Sequence, residues 1–151
     1  MKRSQRMQTV ERVVSDVEKK RAEALAVRER HVTEAENKLS ELESYQKSYA
    51  DQFQVRLGAG IGAAGLRDFQ AFMARLAEAV KQQAQLVVKA KADRDAERKV
   101  WQHAAQRKEA VGGLVERWQK DEQQQADKHE QRESDERAQR PSAQTLHRRG
   151  H

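Results

Sequence analysis

The chain lacks cysteine altogether, and its 151 residues include one proline and seven glycines. Without cysteine it can form neither disulfides nor the thiolate sites of zinc fingers and thiol enzymes. Aromatic residues make up 5% of the sequence, and no apolar run approaches the roughly 20 residues that span a bilayer. The N-terminal basic residues are followed by no apolar block, so no secretory signal is expected. With neither a membrane span nor a secretory signal, a soluble cytoplasmic protein is the default expectation.

Charged residues are abundant at 36%, and hydrophobic residues are scarce for this length at 36%. Such a composition leaves two options, namely disorder or long helices that bury only a narrow apolar seam. Charges of both signs are interleaved, with 12 basic and 10 acidic residues in 1–56 and 16 and 14 in 57–140. A nucleic-acid-binding protein usually concentrates basic residues on one face, so the sequence predicts no nucleic-acid partner.

An apolar repeat runs through residues 69–118, at alternating steps of four and three. This 3.5-residue period is typical of a coiled-coil helix, whose seam faces a partner helix. The predicted seam consists of Phe69, Met73, Leu76, Val80, Gln83, Val87, Ala90, Arg94, Glu97, Trp101, Ala104, Lys108, Val111, Val115 and Trp118.

A second repeat in residues 1–56 predicts the partner helix. Two successive steps of four between Val17 and Leu25 predict a stutter, which would locally unwind the supercoil. The predicted seam consists of Met7, Val10, Val14, Val17, Arg21, Leu25, Arg28, Val32, Ala35, Leu39, Leu42, Gln46, Tyr49 and Phe53.

Four of the seven glycines lie in the segment 57–65, between the two repeats. Each costs a helix about 1 kcal/mol relative to alanine, so the segment predicts a turn. The glycines Gly60, Gly62 and Gly65 have the spacing of a dinucleotide-binding loop, but that loop requires a preceding strand, and none is predicted.

The expected fold is therefore all-α, with two long helices forming an antiparallel coiled-coil hairpin over residues 1–140. The helices should cover about 3–56 and about 66–139, with the turn at 57–65 and a disordered tail at 141–151. In such a hairpin with this short turn, residues that face each other have numbers that sum to about 122. Phe53 is therefore expected to meet Phe69, and residues 121–140 to extend past the first helix without a partner. The pair Gly112-Gly113 predicts either a tolerated kink or a hinge.

A second apolar stripe lies beside the seam near the turn. It contains Leu42, Tyr45 and Tyr49 on the first helix and Phe72, Leu76 and Ala79 on the second. These residues could thicken the packing or form an exposed docking face, since aromatics are frequent in binding hot spots. The five histidines have no metal-site spacing, and a two-helix hairpin offers no catalytic pocket. We therefore expect no enzyme activity, cofactor, metal or small-molecule substrate.

Several motifs in order resemble the FliJ family, the stalk proteins of the bacterial flagellar type III export apparatus. The likeness covers about residues 39–140. The motifs are Leu42-x-x-Tyr45-x-x-x-Tyr49, the glycine turn, Phe69-Gln70-x-Phe72-x-x-x-Leu76-x-x-Ala79, Trp101, Leu114-x-Glu116-Arg117, and Glu130-Gln131-Arg132-x-x-Asp135-Glu136-x-Ala138.

The resemblance implies a non-enzymatic stalk that promotes assembly of the hexameric export ATPase ring and links it to the export gate, a membrane protein, and to export chaperones. It implies gate binding by Lys38, Leu42, Tyr45, Tyr49, Phe72, Leu76, Ala79 and Gln83. Family members often have glutamine in place of Lys38 and histidine in place of Gln83.

The open end of the hairpin would, by the same resemblance, enter the ATPase ring. The ring contacts expected there are Glu122, Gln125, His129, Arg132, Asp135 and Glu136. The protein would be cytoplasmic and held at the inner membrane at the flagellar base through its partners, with a role in motility and chemotaxis. The alternatives are the stalk of a virulence-type secretion system, or a generic basic scaffold associated with nucleic acid.

Overall fold

The computed structural model describes the backbone of residues 2–148 and the side chains of residues 2–140. It contains two long helices, α1 (Arg3–Ala59) and α2 (Ala63–Arg148), which pack against each other as a helical hairpin. The predicted all-α fold is confirmed. The chain divides into two compact units, which we call the loop unit (Val17–Ala104) and the terminal unit (Met1–Asp16 with Ala105–His151).

The turn between the helices is shorter than the sequence predicts, because only residues 60–62 are non-helical. Gly60 adopts a φ of 90° and its N–H donates to the Leu57 carbonyl at 3.3 Å, so a left-handed glycine ends α1. The Gly62 carbonyl accepts the Leu66 N–H at 3.0 Å and begins α2. Gly65 lies inside the helix, where an added Cβ would come within 3.0 Å of Ile61 Cγ1. It therefore permits the close approach of Ile61.

The second helix continues past Pro141 to Arg148, beyond the predicted end near residue 139. The predicted disorder of 141–151 remains a prediction. Residues 149–151, and the side chains of that whole tail, lie outside the described part of the chain.

In the loop unit the core is a narrow seam. Val32, Gln83 and Val87 are buried there, and Phe53 stacks on Phe69 with ring centroids 3.9 Å apart, which confirms the predicted register. Gln83 donates its amide Nε2–H to the Ala35 carbonyl at 3.0 Å. A buried amide that is satisfied in this way fixes the register of two helices without leaving an unpaired polar group.

The first helix departs from its predicted seam near its N-terminal end. Val10 and Val17 are exposed, while Glu11 and Glu18, one residue further on, are half-buried. In the loop unit the Trp101 indole N–H donates to Glu18 Oε1 at 3.1 Å, which accounts for a carboxylate at a seam position. Placing Glu18 in the seam removes the two successive steps of four on which the predicted stutter rests.

In the terminal unit α2 passes through Gly112-Gly113 as continuous helix. Neither glycine has a positive φ, and a Cβ added to either would meet nothing within 4 Å. A cavity of about 280 Å³ lies beside Gly112, lined by Glu11, Ser15, Ala105, Lys108 and Glu109. Neither space nor backbone conformation therefore requires glycine at these two positions.

Candidate functional site: docking face and helix overhang

The aromatic residues near the turn come together in the loop unit. Tyr49 meets Phe72 edge to face, with ring centroids 4.9 Å apart and ring planes at 78°. This geometry places the positive edge of one ring on the negative face of the other, which is a favourable aromatic arrangement. The contact joins α1 to α2 beside the Phe53–Phe69 stack.

Part of this cluster is packed and part is exposed. Tyr45 is 54% exposed, Tyr49 38% and Phe72 36%, whereas Leu42, Leu76 and Ala79 are half-buried. We call these six residues the docking face. Its aliphatic members contribute to packing between the helices, and its three aromatic rings leave apolar surface in contact with water.

The two polar residues assigned to the same contact lie in different surroundings. Lys38 is exposed, so its ammonium group is available at the rim of the docking face. Gln83 is buried and bonded to the Ala35 carbonyl. The structure therefore brings Lys38 to the exposed surface and places Gln83 in the seam.

A cavity of about 480 Å³ adjoins the docking face and was not predicted from the sequence. Tyr49 and Phe72 line both features. The remaining lining residues are Gln52, Phe53, Arg56, Ile61, Gly65, Asp68 and Phe69. The sequence places a phenylalanine on each side of the turn, which was the available signal. Only the observed turn geometry brings Ile61 to the same cavity.

In the terminal unit α2 extends beyond Glu122, which is bonded to Ser4 near the start of α1. Ser4 donates its hydroxyl to Glu122 Oε2 at 2.6 Å and its backbone N–H to Oε1 at 3.2 Å. Every side chain from Gln123 to Arg140 is exposed. We call residues 123–140 the overhang, whose existence the sequence predicted.

The Ser4 hydroxyl lowers the pKa of Glu122 more than any other group does. Partial burial opposes this shift, while the Ser4 N–H and the positive charges of Lys2 and Arg3 add to it. Arg3 also lies 4.0 Å from the centre of the Trp118 ring, a cation–π contact that the apolar repeat did not reveal. Together these contacts hold the first turn of α1 on α2.

The residues predicted to contact an ATPase ring lie on both sides of the boundary between Glu122 and the overhang. Glu122 is half-buried and bonded to Ser4. The others, namely Gln125, His129, Arg132, Asp135 and Glu136, are exposed on the overhang. His129 Nε2 lies 3.2 Å from Glu133 one turn along the same helix, and Arg137 lies 3.9 Å from Glu133. A local pair of opposite charges such as Arg137 with Glu133 supports an exposed helix by about 0.2–0.5 kcal/mol. The contact of His129 is an ion pair only when the imidazole is protonated.

The residues described contain no group of three or more histidine, aspartate or glutamate side chains arranged to hold a metal ion. Over the same residues, neither helix has a stretch that is long and apolar enough to cross a membrane.

The comparisons with known proteins bear on the whole chain. The model of the family described as flagellar FliJ protein matches residues 2–146. Searches of curated proteins and of solved structures gave no match. The matched range covers α1, α2 as far as residue 146, the docking face and the overhang. The chain therefore belongs to the FliJ family and is a component of the flagellar export apparatus.

Proposed function

We infer that this protein is the non-catalytic stalk of the flagellar export ATPase and connects the ATPase ring to the export gate. The observation that carries the proposal is the combination of an exposed aromatic face in the loop unit with an unpaired helix in the terminal unit. One hairpin thereby offers two contact surfaces of different chemistry, as a coupling subunit requires.

The overhang is the evidence for a contact with the ATPase ring. Its exposed residues carry both signs of charge, with Arg132 followed by Asp135 and Glu136 one turn later. A single helix of mixed charge can make different polar contacts with each subunit of a ring. Contacts that are stronger in the closed ring than in the open one would favour ring closure, because a ligand shifts an equilibrium by its differential affinity.

The docking face is the evidence for a contact with the cytoplasmic domain of the export gate. Tyr45, Tyr49 and Phe72 supply large, partly exposed apolar rings, and interface hot spots are enriched in such aromatic residues. Lys38 provides a cation at the rim. In this proposal Gln83 contributes indirectly, because its bond to Ala35 holds α2 in register under the face.

The remaining parts of the proposal follow from the family. The protein would act in the cytoplasm, be held at the inner membrane at the flagellar base through its partners, and also bind export chaperones. It would contribute to motility by supporting export.

The direct test measures ATP hydrolysis by the flagellar export ATPase of the same bacterium with and without this protein, while electron microscopy counts assembled rings. We expect faster hydrolysis together with more hexameric rings. If neither the rate nor ring assembly changed, the proposed flagellar ATPase function would be rejected. The ATPase of a virulence-type secretion system would then be measured in the same way.

A further inference from the structure

The docking face continues along the loop unit beyond the residues named so far. Residues seven apart on a coiled-coil helix keep the same position relative to the seam. Counting from Phe72 in sevens gives Ala79 and then Leu86, which is 54% exposed. Counting back from Tyr45 gives Lys38. Leu86 therefore extends the exposed apolar surface by two turns of α2.

Contacts across the helix pair show that these residues share one side of the loop unit. The Tyr49–Phe72 ring contact lies on that side, and so does the ion pair of Arg28 with Asp93, the residue seven after Leu86. The opposite side carries two ion pairs. There Lys91 pairs with Glu36 at 3.4 Å, and Arg98 lies 3.8 Å from Glu29.

The two outer edges of the apolar side carry opposite charges. Glu34 and Glu41, seven residues apart, follow the edge on α1, and Arg75 and Lys89, fourteen apart, follow the edge on α2. All four are exposed, and none forms an ion pair with another described residue. The surface thus has an apolar centre, interrupted by Lys38 in the row of Tyr45, between one acidic and one basic edge.

We propose that a second copy of this chain covers this surface. A twofold axis parallel to the helices would lay α1 of each copy over α2 of the other, so that the acidic edge of one copy meets the basic edge of its partner on both sides. A twofold axis across the helices would instead set acid against acid and base against base. The charge pattern therefore selects the first arrangement.

The positions of the charged residues along the helix axis agree with this arrangement. Contacts of Gln83 with Ala35 and of Lys91 with Glu36 place Glu34 and Lys89 at about the same height along the helix pair. Glu34 of one copy then meets Lys89 of the other, twice in each dimer. Tyr45, Phe72 and Leu86 supply the apolar centre.

Self-association stands independently of the proposed function, but one consequence rests on it. If the export gate binds Tyr45 and Phe72, a dimer formed through the same residues excludes the gate. The protein would then expose its docking face only as a monomer.

The test is sedimentation velocity of the full chain over a concentration series, where we expect a reversible dimer. Leu86→Glu should abolish the dimer, whereas Val88→Glu should leave it unchanged. Val88 is a fair control because it is 69% exposed on the same helix. It lies seven residues after Lys81, and so on the other side of α2 from Leu86. Circular dichroism should show equal helicity for both variants.

Charge reversal tests the arrangement itself. Glu34→Lys or Lys89→Glu alone should weaken the dimer about tenfold, since each change acts twice by symmetry, and the two together should restore it. Lys81→Glu, on the far side of α2, should have no effect. A chain that stays monomeric up to about 1 mM would overturn the proposal. So would a dimer that Leu86→Glu leaves intact, or one that the double reversal fails to restore. Gate binding by a strictly monomeric chain would leave the proposed function standing.

Discussion

At the scale of single residues, the contact of Ser4 with Glu122 makes a prediction about pH. The Ser4 hydroxyl is the largest cause of the lowered pKa of Glu122. Ser4→Ala should therefore raise this pKa toward its ordinary value near 4.5, whereas Ser4→Thr, which keeps a hydroxyl, should preserve most of the shift. The measurement is an NMR titration of the Glu122 side-chain carboxyl. An unchanged pKa in the alanine variant would mean that Lys2 and Arg3 cause the shift.

The sign of the linked stability effect follows from the direction of the shift. Because the folded-state pKa of Glu122 is lowered, its contribution to stability is fully present above the ordinary glutamate value. It is lost as the pH falls through the lower folded-state value. Acid should therefore loosen the start of α1 in the wild-type chain more than in Ser4→Ala, which amide exchange of the first turns would detect.

At the scale of helices, the sequence predicts α2 better than α1. Val87, Ala104 and Val115 are apolar and buried, so the period of α2 marks its seam directly. On α1 the exposed valines Val10 and Val17 suggested a seam that neighbouring glutamates occupy. An apolar repeat assigns a seam position to valine rather than to the neighbouring glutamate. It cannot show that the other helix offers a hydrogen-bond donor to that glutamate, as Trp101 does to Glu18.

The same limit explains which parts of the candidate site were predictable. The spacing of Tyr45, Tyr49 and Phe72 is enough to place them together, because residues on one helix face recur at three and four. The role of Gln83 depends on a carbonyl of the other helix, and the cavity beside Phe53 and Phe69 depends on how Gly60 turns the chain. The bond of Gln83 and the cavity both depend on how the two helices are placed against each other, which residue spacing within one helix does not predict.

Gly112 and Gly113 give a prediction at this same scale. Alanine fits at both positions, so Gly112→Ala and Gly113→Ala should each raise the free energy of unfolding by about 1 kcal/mol. Chemical denaturation followed by circular dichroism measures this. Gly60→Ala is the contrasting control and should destabilise the chain, because its φ of 90° strains any residue with a Cβ. Lower stability of the Gly112→Ala variant would contradict the prediction.

The stabilised double variant also separates the two interpretations of the glycine pair. If the pair is a tolerated kink, Gly112→Ala with Gly113→Ala should stimulate the export ATPase as well as the wild-type chain does. If the pair is a hinge, stimulation should fall although stability rises. The two measurements together decide between these interpretations.

At the scale of the whole molecule, the proposed coupling requires two activities that can be lost separately. The overhang belongs to the terminal unit, and the docking face belongs to the loop unit. The overhang and the three aromatic rings of the docking face are exposed, so removing them leaves the buried residues of the seam in place. A protein that only stabilised one partner would need only one of these two surfaces.

A chain that ends at Glu122 tests this separation, because it keeps the bonds from Ser4 to Glu122 and removes the overhang. We expect it to lose stimulation of the export ATPase while it binds the cytoplasmic domain of the export gate with unchanged affinity. Tyr45→Ala with Phe72→Ala should show the reverse, since both rings are partly exposed and their loss leaves the buried seam in place. ATPase assays and calorimetric titration of the gate domain measure the two activities, and circular dichroism checks helicity. Loss of both activities in both well-folded variants would refute separate surfaces and leave a single composite interface as the explanation.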